Sequence, residues 1–332
     1  MKFPTFLLPL SAAILLHPVN GQAQESSELA YVFDKGYGQV EVGGPYVGME
    51  FHGSRPLPSR ISFYYPVANS IDLSTDYWQR GDSRPMAIGI RAGTKSKQWI
   101  GREAWAYTLS PHTVTFQKEV DGVVCTIRYE FCRNEPAAVM SLEIRNISGE
   151  VLPIELYTHL RLSLRTCQTY ARKDLPLTEY DHATGALAAH FDVPETDSAS
   201  VFVLNAGEKF VQWTENASQV GATDSGTSIW LSSDPFQHQN DAPRKGRYPA
   251  VAAFVYSKSV KPGDSLVVVQ VIGSSRRNEW KHIAAKLAHS WEAEVAAYDR
   301  FIRSKAYDEA LFYTGDSLLD RSSVWARGSG SA

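Results

Sequence analysis

The stretch VVCTIRYEFC, residues 123–132, decides the fold class of this protein. Large apolar side chains occupy every second position, from Val123 through Ile127 to Phe131, and most positions between them are polar. Because successive side chains of a β-strand point to opposite faces, this period of two predicts a half-buried strand. The chain is therefore expected to contain antiparallel sheets with one buried face each.

Two further runs repeat this alternation directly after the first. They cover residues 138–145 and, after a turn at 148–150, residues 154–165. Three successive long strands joined by short turns predict an antiparallel meander. The remaining strand candidates share the same period, and they are residues 46–52, 61–65, 86–91, 113–120, 200–205, 209–213, 250–257 and 266–272.

The period changes after residue 273. Apolar residues then recur at steps of three and four, which predicts an amphipathic helix with one apolar face. The members of this stripe are Trp280, Ile283, Leu287, Trp291, Val295, Tyr298 and Ile302. We expect the stripe to pack against the sheets, although a partner-binding helix would show the same pattern. A second, shorter helical pattern follows and ends in a flexible Gly/Ser tail.

These patterns predict a mainly β fold, a large antiparallel two-sheet β-sandwich followed by a C-terminal linker helix and the start of a helical domain. Two packed sheets are expected because so many strands do not stay in one open sheet without curling or stacking. The predicted parts are a signal peptide over 1–23, the sandwich over 24–273, the linker helix over 274–306, and the first helix of a truncated helical domain with its tail over 307–332.

The N-terminal segment has the order of a secretory signal peptide. Lys2 precedes an apolar run over residues 3–16, and small residues follow up to Ala23. The run is interrupted by prolines and is shorter than the roughly 20 apolar residues that a transmembrane helix needs. We therefore expect no membrane span and an exported protein, located in the periplasm or outside the cell.

The composition excludes several classes of protein. The 332 residues are 43% hydrophobic and 21% charged, which suffices for a packed core and excludes disorder as the dominant state. The net charge of −3 comes from interspersed acidic and basic residues, so no nucleic-acid partner is expected. The sequence has no nucleotide-binding glycine loop, no His-Glu-x-x-His motif and no nucleophile elbow, and we predict neither a cofactor nor a metal.

The three cysteines leave two interpretations open. Cys125 and Cys132 are seven positions apart, an odd number that places them on opposite faces of one strand, where they cannot pair with each other. One of them could pair with Cys167 across neighbouring strands, or all three are packing residues. No cysteine or histidine spacing indicates zinc.

The order of these elements resembles one family of bacterial enzymes. In six-hairpin glycoside hydrolases and phosphorylases, such as glycogen-debranching-type glucosidases and cellobiose phosphorylases, a galactose-mutarotase-like supersandwich precedes a helical toroid. The resemblance covers residues 40–327. It rests on the element order and on three segments, ISFYYP (residues 61–66), LEIRNISG (142–149) and DRSSVWAR (320–327).

The resemblance implies that the chemistry lies outside this chain. In that family the two carboxylates that cleave the glycosidic bond belong to the toroid, of which this sequence holds at most the first helix. The chain would then be the sandwich region of a truncated or split enzyme, with its helical catalytic domain in cis or in a separate chain. Leu318, Leu319 and Trp325 would be exposed until that domain covers them.

The segment DYWQRGDSR, residues 76–84, is the best candidate for sugar contacts. Sugar recognition needs an aromatic face for the apolar side of a pyranose and planar polar groups for its hydroxyls, and Tyr77, Trp78, Arg80 and Asp82 offer both. By analogy with six-hairpin enzymes, this loop would contribute to the catalytic cleft. A solvated loop with a locally packed tryptophan is the alternative.

His159 is a weaker candidate for catalysis. Mutarotases use a histidine acid and a glutamate base on the concave sheet, and here Glu143 or Glu155 could stand near His159. The alternative is a structural histidine covered by a neighbouring element.

Four other tryptophans have two interpretations each. They are expected to be core residues or, alternatively, sugar platforms, and they are Trp99, Trp105, Trp213 and Trp230.

Three functions remain open from the sequence. The first is the exported sandwich region of a glycoside-hydrolase-type enzyme, which supports a helical catalytic domain and contributes sugar contacts but lacks the catalytic carboxylates. The second is a stand-alone mutarotase or aldose epimerase, and the third is a non-catalytic carbohydrate-binding module. In all three the expected ligand is a carbohydrate, an oligosaccharide or a polysaccharide.

Overall fold

The computed structural model describes most of the chain after residue 28 in several ranges. These ranges are residues 29–33, 38–66, 71–73, 85–162, 164–165, 177–193, 196–220, 229–232, 244–245, 250–307 and 314–330. Within them, the strands form three antiparallel sheets and the two long helices follow at the C-terminal end. The predicted mainly β sandwich with C-terminal helices is confirmed.

The largest sheet, sheet A, has ten strands. In spatial order they are β1 (Tyr31–Phe33), β8 (Ala106–Ser110), β9 (Thr113–Val120), β10 (Val123–Phe131), β11 (Ala137–Asn146), β20 (Ser265–Arg276), β16 (Thr196–Asn205), β15 (Ala186–Val193), β14 (Leu177–Asp181) and β18 (Arg244–Lys245). The predicted strand over 123–132 is therefore found as β10, near the middle of this sheet.

Two five-stranded sheets make up the rest of the β structure. Sheet B contains, in spatial order, β13 (Leu164–Arg165), β5 (Ile71–Leu73), β4 (Arg60–Phe63), β3 (Val47–His52) and β2 (Gln39–Gly43). Sheet C contains β17 (Gln212–Asn216), β19 (Ala250–Val260), β12 (Leu152–Arg161), β6 (Met86–Ala92) and β7 (Gln98–Ile100). One hydrophobic core takes residues from all three sheets, among them Ile127, Phe63 and Leu156, so sheets B and C share one core with sheet A.

The predicted meander is wrong at its third strand. β10 and β11 pair as expected, but β12 leaves sheet A and lies between β19 and β6 in sheet C. The Asn146 side chain stabilises the turn between them, because its amide donates to the carbonyls of Glu150 (2.7 Å) and Val260 (2.9 Å). β11 pairs on its other edge with β20. Alternation specifies which face of a strand is buried, but it does not specify the neighbouring strand.

The predicted strand over residues 154–165 is also interrupted. β12 ends at Arg161, and β13 belongs to sheet B. One apolar pattern therefore covers two strands of different sheets.

The long amphipathic helix α3 (Trp280–Tyr307) covers the outer face of sheet A, as predicted. Trp280, Ile283 and Leu287 pack there against residues such as Phe202 and Val271. Because β20 continues to Arg276, the helix starts six residues later than the boundary expected from the sequence. Two short helices, α1 (Ala217–Val220) and α2 (Ile229–Ser232), precede β19.

The last helix, α4 (Ser317–Ser329), folds back onto the sandwich. Asp316 caps it, because its Oδ1 accepts from the backbone N–H groups of Leu318 (2.9 Å) and Leu319 (3.2 Å). These two leucines are 66% and 57% exposed, as expected. Trp325, in contrast, is half-buried and packs edge-on against Tyr31 with ring centroids 5.2 Å apart. Trp325 is therefore partly covered within this chain, and its role at an interface with a further domain stays a prediction.

Cys125 in β10 and Cys132 directly after it behave as packing residues. Cys125 is buried in the core between the sheets, whereas Cys132 is buried beneath α3 on the opposite face. Both are free thiols, and burial raises the pKa of Cys125 to about 12 and that of Cys132 further. Cys167 lies outside the described residues. No helix within the described ranges is long and apolar enough to cross a membrane.

Candidate functional site

The outer face of sheet C carries the best candidate site. In β12, Ile154, Leu156 and Leu160 point into the core, so the odd-numbered residues Tyr157 and His159 point away from it.

The neighbours of these two side chains in the sheet are small. Tyr157 lies between Gly89 and Val255, and His159 lies between Ala87 and Ala253. Small neighbours leave space above the sheet for other side chains.

Three aromatic rings occupy part of that space. Trp230 of α2 stacks on Tyr157 with ring centroids 5.2 Å apart and an interplanar angle of 17°. Trp99 of β7 contacts both, with centroid distances of 5.1 Å to Trp230 and 5.5 Å to Tyr157. Gly89 lies beneath them, and a Cβ atom at this position would be 2.3 Å from the Trp230 ring. The sheet therefore needs glycine here because an aromatic side chain approaches its backbone closely.

A charged group borders the aromatic cluster. Glu155 accepts from the indole Nε1 of Trp230 at 2.9 Å and forms ion pairs with Lys97 (2.8 Å) and Arg91 (2.9 Å). The Lys97 ammonium also donates to the Trp230 carbonyl at 2.5 Å and lies 5.0 Å from the centre of its ring. These contacts hold α2 against the sheet.

His159 lies on the other side of Tyr157 and is 1% exposed. Its Nδ1 is 2.7 Å from the Tyr157 hydroxyl, whereas its buried Nε2 has no hydrogen-bond partner among the described residues. Burial, with a smaller contribution from Arg161, lowers the pKa of His159 to about 3. The imidazole is therefore neutral near pH 7 and leaves one hydrogen bond unmade.

Arg161 is the last residue of β12 and lies at the same end of the strand as His159. It follows His159 on the same face of β12, and burial lowers the pKa of its guanidinium. Its backbone N–H donates to the Pro85 carbonyl at 2.6 Å. Pro85 directly follows residues 76–84 in the sequence, and those residues themselves lie outside the described ranges.

The predicted catalytic candidates fall in two places. Glu155 and His159 share one face of β12, separated by four residues or about 13 Å of strand. Glu143 lies in β11 of sheet A, pointing away from the core between Leu142 and Ile144, and accepts from the Ser265 hydroxyl at 2.6 Å. The structure therefore separates Glu143 from His159.

The predicted sugar-binding residues Tyr77, Trp78, Arg80 and Asp82 lie outside the described residues. Among the other tryptophans, Trp105 is buried in the core as expected. In the described part of the chain, no group of histidine, cysteine, aspartate and glutamate side chains is arranged to hold a metal ion.

Sequence reasoning missed the way these residues combine. Trp99 and Trp230 lie far apart in the chain, and they come into contact because α2 places Trp230 on sheet C. No sequence motif or spacing distinguished Lys97 from other surface lysines. One signal was available in Gly89, a glycine inside the strand pattern of residues 86–91, because a glycine there indicates a close approach by another group.

No protein-family model and no curated protein sequence matches this chain. Solved structures similar to it include a polysaccharide lyase, at 12% identity and a TM-score of 0.44 over 74% of this chain and 35% of the lyase. A galactose mutarotase-like protein from Lactobacillus casei is 9% identical, with a TM-score of 0.38 over 71% of this chain and 100% of that protein. A bacterial glucoamylase complexed with acarbose is 7% identical, with a TM-score of 0.46 over 88% of this chain and 43% of the glucoamylase. This chain thus spans less than half of the lyase and of the glucoamylase.

Proposed function

We propose that this protein is the exported sandwich region of a carbohydrate-active system and binds a sugar on the outer face of sheet C. The observation that carries the proposal is the buried, neutral His159 beside a cluster of aromatic rings, since its Nε2 has no hydrogen-bond partner among the residues that the structure describes. A buried polar atom without a partner costs about 1–3 kcal/mol, so a ligand that supplies the missing bond recovers that free energy.

A hydroxyl group fits this nitrogen in either tautomer. If the Tyr157 hydroxyl donates to Nδ1, then Nε2 carries the proton and needs an acceptor; in the other tautomer Nε2 needs a donor. A sugar hydroxyl donates and accepts, so it satisfies both cases. A carboxylate or an ammonium ion would satisfy only one.

The surroundings also suit a sugar. Arg161 provides planar donors next to His159, and the Tyr157 ring stands edge-on to the imidazole with centroids 5.6 Å apart. Pyranoses are recognised by aromatic faces together with a few planar polar groups. In this proposal Tyr77, Trp78, Arg80 and Asp82 add further contacts from the segment that precedes Pro85 in the sequence.

Export and support of a helical catalytic domain belong to the same proposal. The apolar run over residues 3–16 supports export. The exposed Leu318 and Leu319 at the start of α4 support a covering partner, because adjacent exposed leucines are unfavourable in water. The partner proposed here is a helical domain in cis or in a separate chain.

Calorimetric titration of the purified chain with maltotriose and cellotriose tests the binding. We expect His159→Leu to weaken binding at least about tenfold, which is the loss of one buried hydrogen bond. His289→Leu on the exposed side of α3 is the matched control and should bind as the wild type does. Equal affinities of the two variants, at equal thermal stability, would contradict the assigned site.

Trp78→Ala tests the predicted loop in the same titration. Its expected effect is weaker sugar binding with unchanged stability. Unchanged affinity would remove the loop from the proposal and leave His159 in it.

The second candidate function is that of an aldose epimerase. It is favoured by the Nε2 atom of His159, which has no hydrogen-bond partner among the described residues. Two observations count against the residues predicted for it: Glu143 lies on another sheet, and Glu155 already accepts from three donors. We expect polarimetry on fresh glucose and galactose to show equal rates for wild type and His159→Leu, and no hydrolysis of glucosides by the chain. A rate that depends on His159 would favour the epimerase.

A further inference from the structure

A narrow slot lies on the outer face of sheet C, and Trp230 fills it. Its floor is Gly89, and its walls are the rings of Trp99 and Tyr157, which come from the strands on either side of β6. The six-membered part of the Trp230 indole touches the floor, since Cζ3 and Cη2 lie 2.3 Å and 2.5 Å from where a Cβ of residue 89 would be.

Trp230 makes three kinds of contact in the slot. Its ring stacks on Tyr157, its Nε1 donates to the Glu155 carboxylate, and its carbonyl accepts from the Lys97 ammonium. A pyranose uses the same three contacts, because its C–H face stacks on an aromatic ring while its hydroxyls donate to carboxylates and accept from ammonium groups.

Two buried nitrogens beside the slot have no partner within the described residues. They are Nε1 of Trp99, on one wall, and Nε2 of His159, whose ring contacts the other wall. A packed core normally satisfies such atoms, so their presence on opposite sides of the aromatic cluster indicates a site that is closed without its ligand.

We propose that this slot is a pyranose subsite and that Trp230 occupies it when no sugar is bound. The inference rests on the proposed function and adds the position of the ring-binding subsite and the residue that competes for it. A sugar enters when Trp230 leaves and takes the place of its ring above Gly89, where the C–H face of the sugar stacks on Tyr157 as the Trp230 ring did. Glu155 and Lys97 then bond its hydroxyls. The observed affinity is reduced by the small fraction of molecules in which the slot is open.

Gly89→Ala tests this competition without removing any side chain of the site. The added methyl group collides with the Trp230 ring, so the ring is displaced from the slot. Gly149→Ala is the matched control, because a Cβ there meets nothing within 4 Å and Gly149 has no positive φ.

The first readout needs no sugar. In Gly89→Ala the fluorescence of Trp230, isolated by subtracting a Trp230→Phe background, should shift to longer wavelength and be quenched more strongly by acrylamide. Gly149→Ala should match the wild type. An unchanged Trp230 signal in Gly89→Ala would overturn the inference that the residue can leave its slot.

The second readout is the affinity for maltotriose and cellotriose. If Trp230 competes with the sugar, Gly89→Ala and Trp230→Ala both bind severalfold more tightly than the wild type. Weaker binding by Trp230→Ala, at unchanged stability, would show that Trp230 is part of the binding surface and would overturn the inference. Binding that depends on His159 but is unchanged in both variants overturns the slot alone, whereas no binding by any variant overturns the proposed function as well.

Discussion

Two buried histidines lie on outer sheet faces of this molecule, and they differ in how their hydrogen bonds are completed. His190 in sheet A has partners on both nitrogens, the Ser200 hydroxyl at 2.7 Å and the Glu179 carboxylate at 3.2 Å. It is covered by α3, whose Trp280 ring lies 5.7 Å away. In the described part of the chain, His159 of sheet C bonds to the Tyr157 hydroxyl through Nδ1, and its Nε2 has no partner.

Burial alone does not separate the two residues. His159 and His190 are 1% and 3% exposed, and burial lowers the pKa of both. Glu179 opposes the effect at His190, because its carboxylate favours the protonated imidazole. Within the described residues the two histidines therefore differ in their hydrogen bonds, and the bond missing at His159 is the one that the proposed sugar would supply.

The largest expected effect concerns stability. His190→Leu leaves the fully buried Ser200 hydroxyl without this partner and should lower the free energy of unfolding by about 2–4 kcal/mol. His159→Leu also removes a partner of the buried Tyr157 hydroxyl, but it removes an unsatisfied nitrogen at the same time, so it should cost less, about 1–2 kcal/mol. Urea denaturation of both variants measures the difference. Equal losses would mean that the two histidines have the same structural role.

The second prediction uses pH. The pKa of folded His159 is about 3, below its usual value near 6.5, so the unfolded chain binds the proton more readily between these two values. Stability is then full above pH 6.5 and falls as the pH is lowered, at up to about 1.4 kcal/mol per pH unit from this residue.

The check is urea denaturation at pH 7 and pH 4.5. His159→Leu should lose less stability than the wild type over this range, because it removes one of the groups that bind protons on unfolding. A variant whose loss equals that of the wild type would show that His159 is protonated in the folded state.

The sequence predicts the fold better than the site for a physical reason. Alternation and helical period report which side chains face the core, so β10, β11 and the apolar stripe of α3 could be predicted. The partner of β12 depended on a turn held by Asn146, which contacts the distant Val260. The slot depends on the contact between Trp230 of α2 and Gly89 of β6. These residues are far apart in the chain, and no sequence pattern predicts that they meet.

The smallest expected effect comes from the exposed member of two lysine–glutamate pairs, one in each region. Lys97 pairs with Glu155 at 2.8 Å and its side chain is 10% exposed, whereas Lys281 pairs with Glu179 at 2.6 Å and its side chain is 55% exposed. Water and salt screen an exposed pair strongly, so Lys281→Ala should change the free energy of unfolding by less than about 1 kcal/mol.

Lys97→Ala should cost more, about 1–3 kcal/mol, because it leaves the Glu155 carboxylate with one donor fewer in a half-buried position and also frees the Trp230 carbonyl. It should also raise the exposure of Trp230 to acrylamide, which Lys281→Ala should not do. Raising the salt concentration should reduce the effect of Lys281→Ala and leave that of Lys97→Ala nearly unchanged. If both variants respond to salt alike, Lys97 is as solvated as Lys281 and does not hold Trp230 in its slot.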